Sequence, residues 1–323
     1  MKLPRRRFLH LAAGAAALPA VSRFASAQTY PTRPVRLIAG FPAGGGTDVM
    51  ARLMGQSLSE RLGQPIVIEN RPGANSNMGT EAVVRAAPDG YTLLMVGIAN
   101  AINATTYDKL NFNFIRDITP VAAIGSVPSI MVVHPSFPAK TIPEFIAYAR
   151  ANPGKADMAS EGIGSTGQLL GEMFKTMAGI NMVLPYRGVA LALTDLIGAQ
   201  VQVIFSSMPS SIAYVRAGQL RALAVTTTTR SQVLPEVPTV GEFLPGYEAT
   251  TWYGVGVPKK TPTEIVEKLN KEINMALTDP KLKARFAELG AEPMMMTPAE
   301  FEKFVAAETE KWAKVIRAAN IKL

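Results

Sequence analysis

The sequence predicts an α/β protein made of two similar lobes, each a mostly parallel sheet flanked by helices. Short runs rich in β-branched residues alternate with amphipathic segments from Pro34 onward, an order typical of parallel sheets with helices on their faces. The alternation starts again near residue 129. The segments SIMVVHPSFPAKTIPEFI and WYGVGVPKKTPTEIVEKL also share one order of strand, proline, basic residue, threonine, proline and helix, which indicates a weak internal repeat.

The first part of the chain contains three strands joined by two helices. We predict strands at 35–41, 64–70 and 91–97, and helices at 48–62 and 78–90. Apolar residues three and four positions apart indicate the helices, and Pro88-Asp89-Gly90 ends the second of them.

The second part repeats this alternation and then ends in helices. Strands are predicted at 129–135, 155–160, 182–186, 201–206, 220–227 and 252–258, and helices at 141–154, 165–179, 189–199, 211–218, 262–278, 280–289 and 297–318. Phe301, Phe304, Val305 and Trp312 give the last helix one apolar face. No long flexible linker is visible, so we expect closely spaced strands to cross between the lobes near 120–130 and again near 225–252.

Residues 1–27 have the pattern of an export signal. The segment has a basic start, an apolar middle too short for a membrane span, and the small residues Ala25-Ser26-Ala27 at its end. Arg5-Arg6-Arg7-Phe8-Leu9 matches the twin-arginine pattern, with an ordinary Sec signal as the alternative. The mature protein is predicted to begin at Gln28, outside the cytoplasm.

Charge and cysteine content exclude several classes of function. The chain has a net charge of +8, and loss of five basic residues with the signal leaves +3. The remaining basic residues are scattered among acids, which argues against a nucleic-acid partner. The chain has no cysteine, which excludes disulfides, a thiol nucleophile, thiolate metal sites and a lipid anchor on cysteine. We expect a soluble exported protein without membrane insertion.

Four strand-to-helix junctions carry small or polar residues: FPAGGGTD (41–48), SEGIGSTG (160–167), YRGVALAL (186–193) and FSSMPSS (205–211). Ligands of open parallel sheets bind at the carboxyl ends of the strands, where such junctions lie. Helix N-termini there offer free N–H groups and partial positive charge, so they favour an anion, most simply a carboxylate. The candidate ligand-binding residues are Phe41, Ala43, Gly44, Gly45, Gly46, Thr47, Asp48, Ser160, Gly164, Ser165, Thr166, Tyr186, Arg187, Gly188, Ser206 and Ser207.

Each of these features has a structural alternative. Glycine-rich turns also occur for tight packing alone, and Asp48 is at least as well explained as a residue that favours a helix start. Tyr186 fits a core position, and Arg187 fits either the surface or a bidentate contact with a carboxylate.

The enzyme alternatives are weaker. GIGSTG (162–167) fits a dinucleotide-binding loop, but the following strand ends in Pro185 and Tyr186 and supplies no acid for a ribose. AGGGTD lacks the lysine of a phosphate-binding loop, and only His134 remains after signal removal for a metal site or a hydrolase. We therefore predict no catalytic residue, cofactor or metal, with an exported dinucleotide-binding oxidoreductase as the alternative.

Seven blocks in order along the chain resemble the Bug-type periplasmic receptors of tripartite tricarboxylate transporters. They are PVRLIAGFPAGGGTDVMARLM, ENRPGANSNMGTEAVVRAAPDGYTLL, ASEGIGSTGQLLGEMF, PYRGVALALTDLIGAQV, AGQLRALAVTT, LPEVPTVGEF and GYEATTWYGVGVP. The resemblance implies a monomeric two-lobed periplasmic binding protein of the type II, Venus-flytrap class. It also implies a small carboxylate ligand in the cleft and membrane transporter subunits as partners. We assign 28–126 and 250–323 to lobe 1 and 127–249 to lobe 2.

Some positions depart from the pattern of that family. Phe205 is followed by Ser206 and Ser207 where such receptors often have aspartate, Arg187 stands where lysine is common, and Glu161 replaces a small residue. Loss of an acid and gain of an arginine suit a dicarboxylate or an aromatic carboxylate better than an amino acid. A receptor that feeds a signalling partner in place of a transporter is a further alternative.

Overall fold

The structure, a computed structural model, describes residues 30–107, 109–160, 165–182, 184–185 and 189–318. The predicted export signal lies outside the described residues.

The first part of the chain forms three strands and four helices. They are β1 (Val35–Ala39), α1 (Gly46–Leu62), β2 (Ile66–Asn70), α2 (Asn77–Val84), β3 (Thr92–Gly97), α3 (Ile98–Thr106) and the short α4 (Phe114–Asp117). The three predicted strands and two predicted helices are confirmed, with shifts of a few residues at their ends. Helix α3 was not predicted, because its run IANAINATT is rich in the weak helix formers asparagine and threonine.

The second part begins with a long strand and then alternates as predicted. Its elements are β4 (Ile118–Val133), α5 (Ile142–Ala151), β5 (Met158–Ser160), α6 (Thr166–Ala178), β6 (Leu184–Pro185), α7 (Val189–Ile197), β7 (Val203–Ser207), α8 (Met208–Arg216), β8 (Arg221–Val225), a 3-10 turn (Val240–Glu242), β9 (Thr250–Pro258), α9 (Thr263–Thr278), α10 (Pro280–Glu288), β10 (Glu292–Pro293) and α11 (Pro298–Ala318).

Strand β4 starts eleven residues before its predicted start at 129. Pro120 and Gly125 hide its first half in the sequence, since both residues are unfavourable inside strands. In the structure both lie at irregularities of the β4–β9 pairing, where the register shifts. The strand thus accommodates them at bulges.

The strands follow the order β2-β1-β3-β9-β4-β7-β5-β6, with β8 and β10 also paired to β4. β1 is parallel to β2 and β3, and β5 is parallel to β6 and β7, as predicted. β4 and β9 pair antiparallel to their neighbours, so the parallel strands of the two halves are joined into one mixed sheet. The reason is that these two strands carry the chain between the halves.

β4 connects the two halves of the sheet directly. Its residues Ile118–Pro128 pair with β9, and its residues Ser129–Val133 pair with β7. At the crossing, the Thr226 hydroxyl donates to the main-chain oxygen of Ala249 at 2.7 Å, and its oxygen accepts the N–H of Ser129 at 3.1 Å. The prediction of closely spaced crossover strands is therefore confirmed.

The last helix packs its apolar face on α3 and β4, and its first turns also reach β9. Phe301, Val305 and Trp312 are buried, as the sequence pattern predicts, and the rings of Trp252 and Phe301 meet edge to face at 5.9 Å. Within the described part of the chain, helices are too short or too polar to cross a membrane.

Candidate functional site

A cleft of about 700 Å³, including the part open to solvent, lies where the two halves of the sheet meet. Loops from both halves and residues of the crossover strands line it. The described lining residues are Phe41, Pro42, Gly45, Gly46, Thr47, Met95, Gly97, Ile98, Ala99, Asn100, Ser129, Ser165, Thr166, Ser207, Thr251 and Tyr253.

Four helices begin at this cleft. Gly45, Gly97, Ser165 and Ser207 immediately precede α1, α3, α6 and α8, and all four residues line the cleft. Each helix start offers unpaired N–H groups and about half a positive charge. No lysine, arginine, aspartate or glutamate is among the lining residues that the structure describes. Neutral donors and helix dipoles are thus the groups that would favour an anion in this part of the cleft.

The three glycines of the first loop differ in their surroundings. Gly44 has a φ of 83°, in the left-handed region that favours glycine. Gly45 is the extended residue before α1. A Cβ on Gly46 would lie 2.2 Å from Ser207 Oγ and 2.6 Å from the Tyr253 hydroxyl. A side chain at Gly46 would therefore have to displace the hydroxyl of Ser207, from the other half of the molecule, and that of Tyr253 in β9.

Asp48 holds this loop from behind. It is buried, and its carboxylate accepts the N–H of Gly44 at 3.0 Å, the side-chain amide of Asn70 at 2.9 Å and two bonds from Arg52. Burial alone would raise the pKa of Asp48, but the hydrogen bonds from Arg52, Gly44 and Asn70 keep it below its ordinary value. The carboxylate is thus ionised and fully engaged beneath the loop.

The second half of the molecule supplies serine and threonine. Ser165 Oγ accepts the N–H of Gln168 at 3.2 Å and caps α6, with Thr166 as the first residue of that helix. Ser207 Oγ lies 2.8 Å from Ser210 Oγ. Ser206, by contrast, is buried with its Oγ 2.6 Å from Ser211 Oγ, so it is not a lining residue.

The structure brings together seven of the predicted site residues: Phe41, Gly45, Gly46, Thr47, Ser165, Thr166 and Ser207 line one cleft. Five others are described but are not among the lining residues: Ala43, Gly44, Asp48, Ser160 and Ser206. Gly164, Tyr186, Arg187 and Gly188 lie outside the described residues, as does Glu161. The first half of the dinucleotide motif GIGSTG, residues 162–164, also lies outside them.

Sequence analysis missed the junction after β3. Gly97, Ile98, Ala99 and Asn100 line the cleft at the carboxyl end of a predicted strand, so the rule used for the other junctions could have found them. Asn100 Oδ1 accepts the N–H of Gly97 at 3.0 Å, and its Nδ2 donates to Thr80 Oγ1 at 2.9 Å. Asn100 thereby fixes the start of α3.

The crossover strands also contribute residues that no sequence signal marked. Ser129 of β4 and Thr251 of β9 line the cleft, with their hydroxyl oxygens 3.2 Å apart. Tyr253 lies two residues further along β9. These side chains reach the cleft only because the two strands pass beneath it.

No group of three His, Asp or Glu side chains in the residues that the structure describes is arranged to hold a metal ion. His134, at the end of β4, places its Nδ1 2.7 Å from Ser136 Oγ and is not among the cleft residues.

Comparison with known proteins gives one consistent family. The model of the tripartite tricarboxylate transporter family receptor (TctC) matches residues 50–321. Protein BugT of Bordetella pertussis is 39% identical over 92% of this chain and 93% of its own length.

Solved structures agree with this result. Rpa4515 of R. palustris with adipate is 38% identical, with a TM-score of 0.87 over 91% of this chain and 99% of that one. MatC of Rhodopseudomonas palustris with bound malate is 30% identical, with a TM-score of 0.82 over 89% of this chain and 100% of that one. Family model, relatives and fold all cover most of the chain, and it therefore belongs to the TctC family of tripartite tricarboxylate transporter receptors.

Proposed function

We propose that this protein is an exported, monomeric periplasmic receptor that captures a small dicarboxylate and delivers it to the membrane subunits of a tripartite tricarboxylate transporter. An aromatic carboxylate is the second choice of ligand. No catalytic step is involved. The family membership and the signal-like first 27 residues support this function.

The convergence of four helix starts on one cleft is the observation that carries the proposal. Gly45, Gly97, Ser165 and Ser207 mark these starts, and N–H groups at such positions bind carboxylates without any cationic side chain. A carboxylate held by several main-chain donors forms charge-assisted hydrogen bonds, which are stronger than neutral ones. The lining residues that the structure describes can therefore bind one carboxylate group.

A second carboxylate requires a further partner, and we assign that role to Arg187. β6 is parallel to β5, with Ser160 opposite Pro185, so both strands end at the same edge of the sheet. Arg187 follows the end of β6 by two residues in the sequence. Guanidinium groups bind carboxylates in a bidentate manner.

The ligand between these two ends should have an apolar middle. Phe41, Met95, Ile98 and Tyr253 contribute apolar surface to the lining of the cleft. Methylene groups gain about 0.8 kcal/mol each on burial, so such walls favour a chain between two carboxylates. Relatives bound to adipate and malate support a dicarboxylate as the ligand class.

The remaining assignments are part of the same proposal. Phe41, the Gly45–Gly46 backbone, Thr47, Ser165 and Thr166 hold the first carboxylate, and Arg187 and Ser207 hold or orient the rest. Gly44 and Ser206 support these loops from outside the cleft, because their polar atoms are bonded to Asp48 and Ser211. Lobe 1 comprises 28–126 and 250–323, and lobe 2 comprises 127–249. The lobes close around the ligand by bending where β4 changes partners, between Pro128 and Ser129.

Calorimetric titration with adipate, malate and benzoate tests this function, with adipamide as the uncharged analogue of adipate. Binding of adipate or malate is expected, and adipamide should bind at least tenfold more weakly because its neutral amides gain less from the helix dipoles. Saturation at a hundredfold excess over Kd should stabilise the fold by about 2.7 kcal/mol.

Arg187→Ala should weaken dicarboxylate binding at least tenfold, whereas Arg216→Ala, at an exposed position of α8, should leave it unchanged. Equal binding of adipate and adipamide, or a response to NAD alone, would overturn the proposal. Mass determination of the periplasmic form should give Gln28 as its first residue.

A further inference from the structure

A second cavity lies behind the cleft, between α2, α3 and the segment that leads to α4. It has a volume of about 520 Å³, including the part open to solvent. Asn77, Asn100, Asn103, Tyr107 and Asn113 supply its polar surface. We call this cavity the amide pocket.

The orientation of the amide groups in its wall is fixed by the main chain. Asn103 Nδ2 donates to the main-chain oxygen of Asn75 at 2.7 Å, and a carbonyl oxygen can only accept. The same nitrogen donates to Asn77 Oδ1 at 2.8 Å. Asn103 Oδ1 in turn accepts from Asn75 Nδ2 at 2.7 Å. Asn77 must therefore present its oxygen to Asn103.

Asn77 Nδ2 is left without a hydrogen-bond partner. Asn77 is only 5% exposed, and it lines the amide pocket. A buried amide that donates no hydrogen bond is unfavourable, because the interactions it would make with water are lost. This donor belongs to a lining residue but is itself closed to solvent, so an acceptor atom of a bound molecule would satisfy it once the wall at Asn77 opens slightly.

Part of the lining is apolar. Leu110, Phe112 and Phe114 contribute it, with both phenylalanines buried. Burial raises the pKa of Tyr107, so the hydroxyl of this lining residue stays protonated and can donate a hydrogen bond at neutral pH. No charged side chain is among the lining residues that the structure describes. A lining that combines donors with apolar surface fits a neutral molecule with an oxygen acceptor.

The amide pocket and the cleft are separate but adjacent. Asn100 lines both of them. Its two side-chain atoms are engaged with Gly97 and Thr80, so Asn100 forms a fixed wall between the two spaces.

We propose that the amide pocket is a second binding site, which takes a small uncharged molecule with a carbonyl oxygen and an apolar body. The carbonyl oxygen accepts from Asn77 Nδ2, and the apolar body packs on Phe112 and Phe114. The site does not depend on what the cleft binds.

Titration of the purified protein with 2-pyrrolidone tests the proposal, followed by the ¹H–¹⁵N signal of the Asn77 side chain. We expect a saturable shift of this signal, and in soaked crystals a 2-pyrrolidone molecule with its oxygen on Asn77. Ala104→Trp, at an exposed position of the rim, should reduce the affinity at least tenfold by filling the pocket. Asn77→Leu should reduce binding to a similar degree, measured by the thermal shift.

Ser76→Ala is the matched control, because Ser76 Oγ is also buried without a partner but does not line the pocket. This variant should bind 2-pyrrolidone as the parent protein does. A signal that does not saturate, equal affinity in Ala104→Trp, or a crystal with water alone in the pocket would overturn the proposal. The wild-type titration and the soak give an answer even if Asn77→Leu fails to fold.

Discussion

At the scale of the residue, the glycines of the first loop show that one sequence motif can have several structural causes. The run Gly44-Gly45-Gly46 invites one explanation, namely access of a ligand to the main chain. Gly44 is accounted for by its left-handed backbone, and Gly46 by contact with Ser207 and Tyr253. The motif therefore serves the docking of the two halves as well as the cleft.

Gly46→Ala should push Ser207 away and hold the cleft open. Atoms at 2.2 Å and 2.6 Å from the new Cβ cannot stay in place, and overpacking of this kind costs about 1–3 kcal/mol. We expect a lower free energy of unfolding in urea and weaker binding of adipate.

Gly198→Ala is the matched control, since its Cβ would meet only ordinary contacts of 3.5 Å or more. It should leave both quantities nearly unchanged. Ser207→Gly combined with Gly46→Ala should restore part of the loss. Full stability and affinity in Gly46→Ala alone would contradict the close approach described above.

Asp48 allows a test by pH. Its folded pKa lies below the ordinary value of 3.8, so its ionised form stabilises the fold above that pH. This contribution is lost as the pH falls through the lower pKa of the folded state. Asp48→Asn should therefore cost about 2 kcal/mol at pH 7, the range of hydrogen bonds to charged groups, and less at about pH 3.

Urea unfolding at both pH values measures this difference. Glu248→Gln, at an exposed site, should have little effect at either pH. A destabilisation by Asp48→Asn that is the same at pH 3 and pH 7 would mean that the charge of Asp48 is not its source.

At the scale of the element, the starts of four helices, α1, α3, α6 and α8, supply the polar groups of the cleft. α6 begins with a serine cap that lines the cleft, whereas α5 begins with Thr141, which accepts the N–H of Glu144 at 3.3 Å and is not among the cleft residues. Both caps stabilise the start of their own helix, but only Ser165 lies in the cleft. Variants of the two caps can therefore distinguish an effect on helix stability from an effect on ligand binding.

Ser165→Ala and Thr141→Ala should each lower the free energy of unfolding by about 1 kcal/mol, the usual cost of a lost cap. Only Ser165→Ala should also weaken adipate binding, because only its hydroxyl lies in the cleft. Calorimetric titration and urea unfolding of both variants measure the two effects. Equal loss of affinity in Thr141→Ala would show that general destabilisation, and not the cap in the cleft, controls binding.

At the scale of the whole molecule, the shared strand β4 makes the two halves one cooperative structure. Its first part belongs to the ladder with β9 and its last part to the ladder with β7. Neither half can lose this strand without disturbing the other. The chain should therefore unfold in one step even though it has two lobes.

The two tryptophans make this cooperativity measurable. Trp252 in β9 and Trp312 in α11 both report on one half, whereas far-ultraviolet circular dichroism reports on both. In urea the two signals should change with the same midpoint. A loss of circular dichroism before any change in fluorescence would indicate that the half built on β7 unfolds independently.

Prediction from the sequence was strongest for regular elements and weakest for long-range pairing. The apolar face of α11 was visible, because Phe301, Val305 and Trp312 recur at helical spacing and need only one surface to pack on. The first half of β4 was not visible in the sequence, because Pro120 and Gly125 argue against a strand. They fit one only where the pairing with a neighbouring strand contains bulges. Of the site, the junction residues at strand ends were predictable, since their position follows from the order of elements alone.

The sequence by itself determined the α/β class, the alternation of strands and helices and the resemblance to the receptor family, and it predicted the carboxyl-end loops as the binding region. These depend on local periodicity, on turn chemistry and on motifs contiguous in the chain. Only the tertiary structure decided that Ser129, Thr251 and Tyr253 line the same cleft, and that Gly46 meets Ser207. It also decided that the Asp48 carboxylate accepts a hydrogen bond from the first loop and so holds that loop in place. The physical reason is that contacts between residues far apart in sequence form only when the crossover strands bring the two halves together. The local sequence around each residue does not indicate which distant residue will lie beside it.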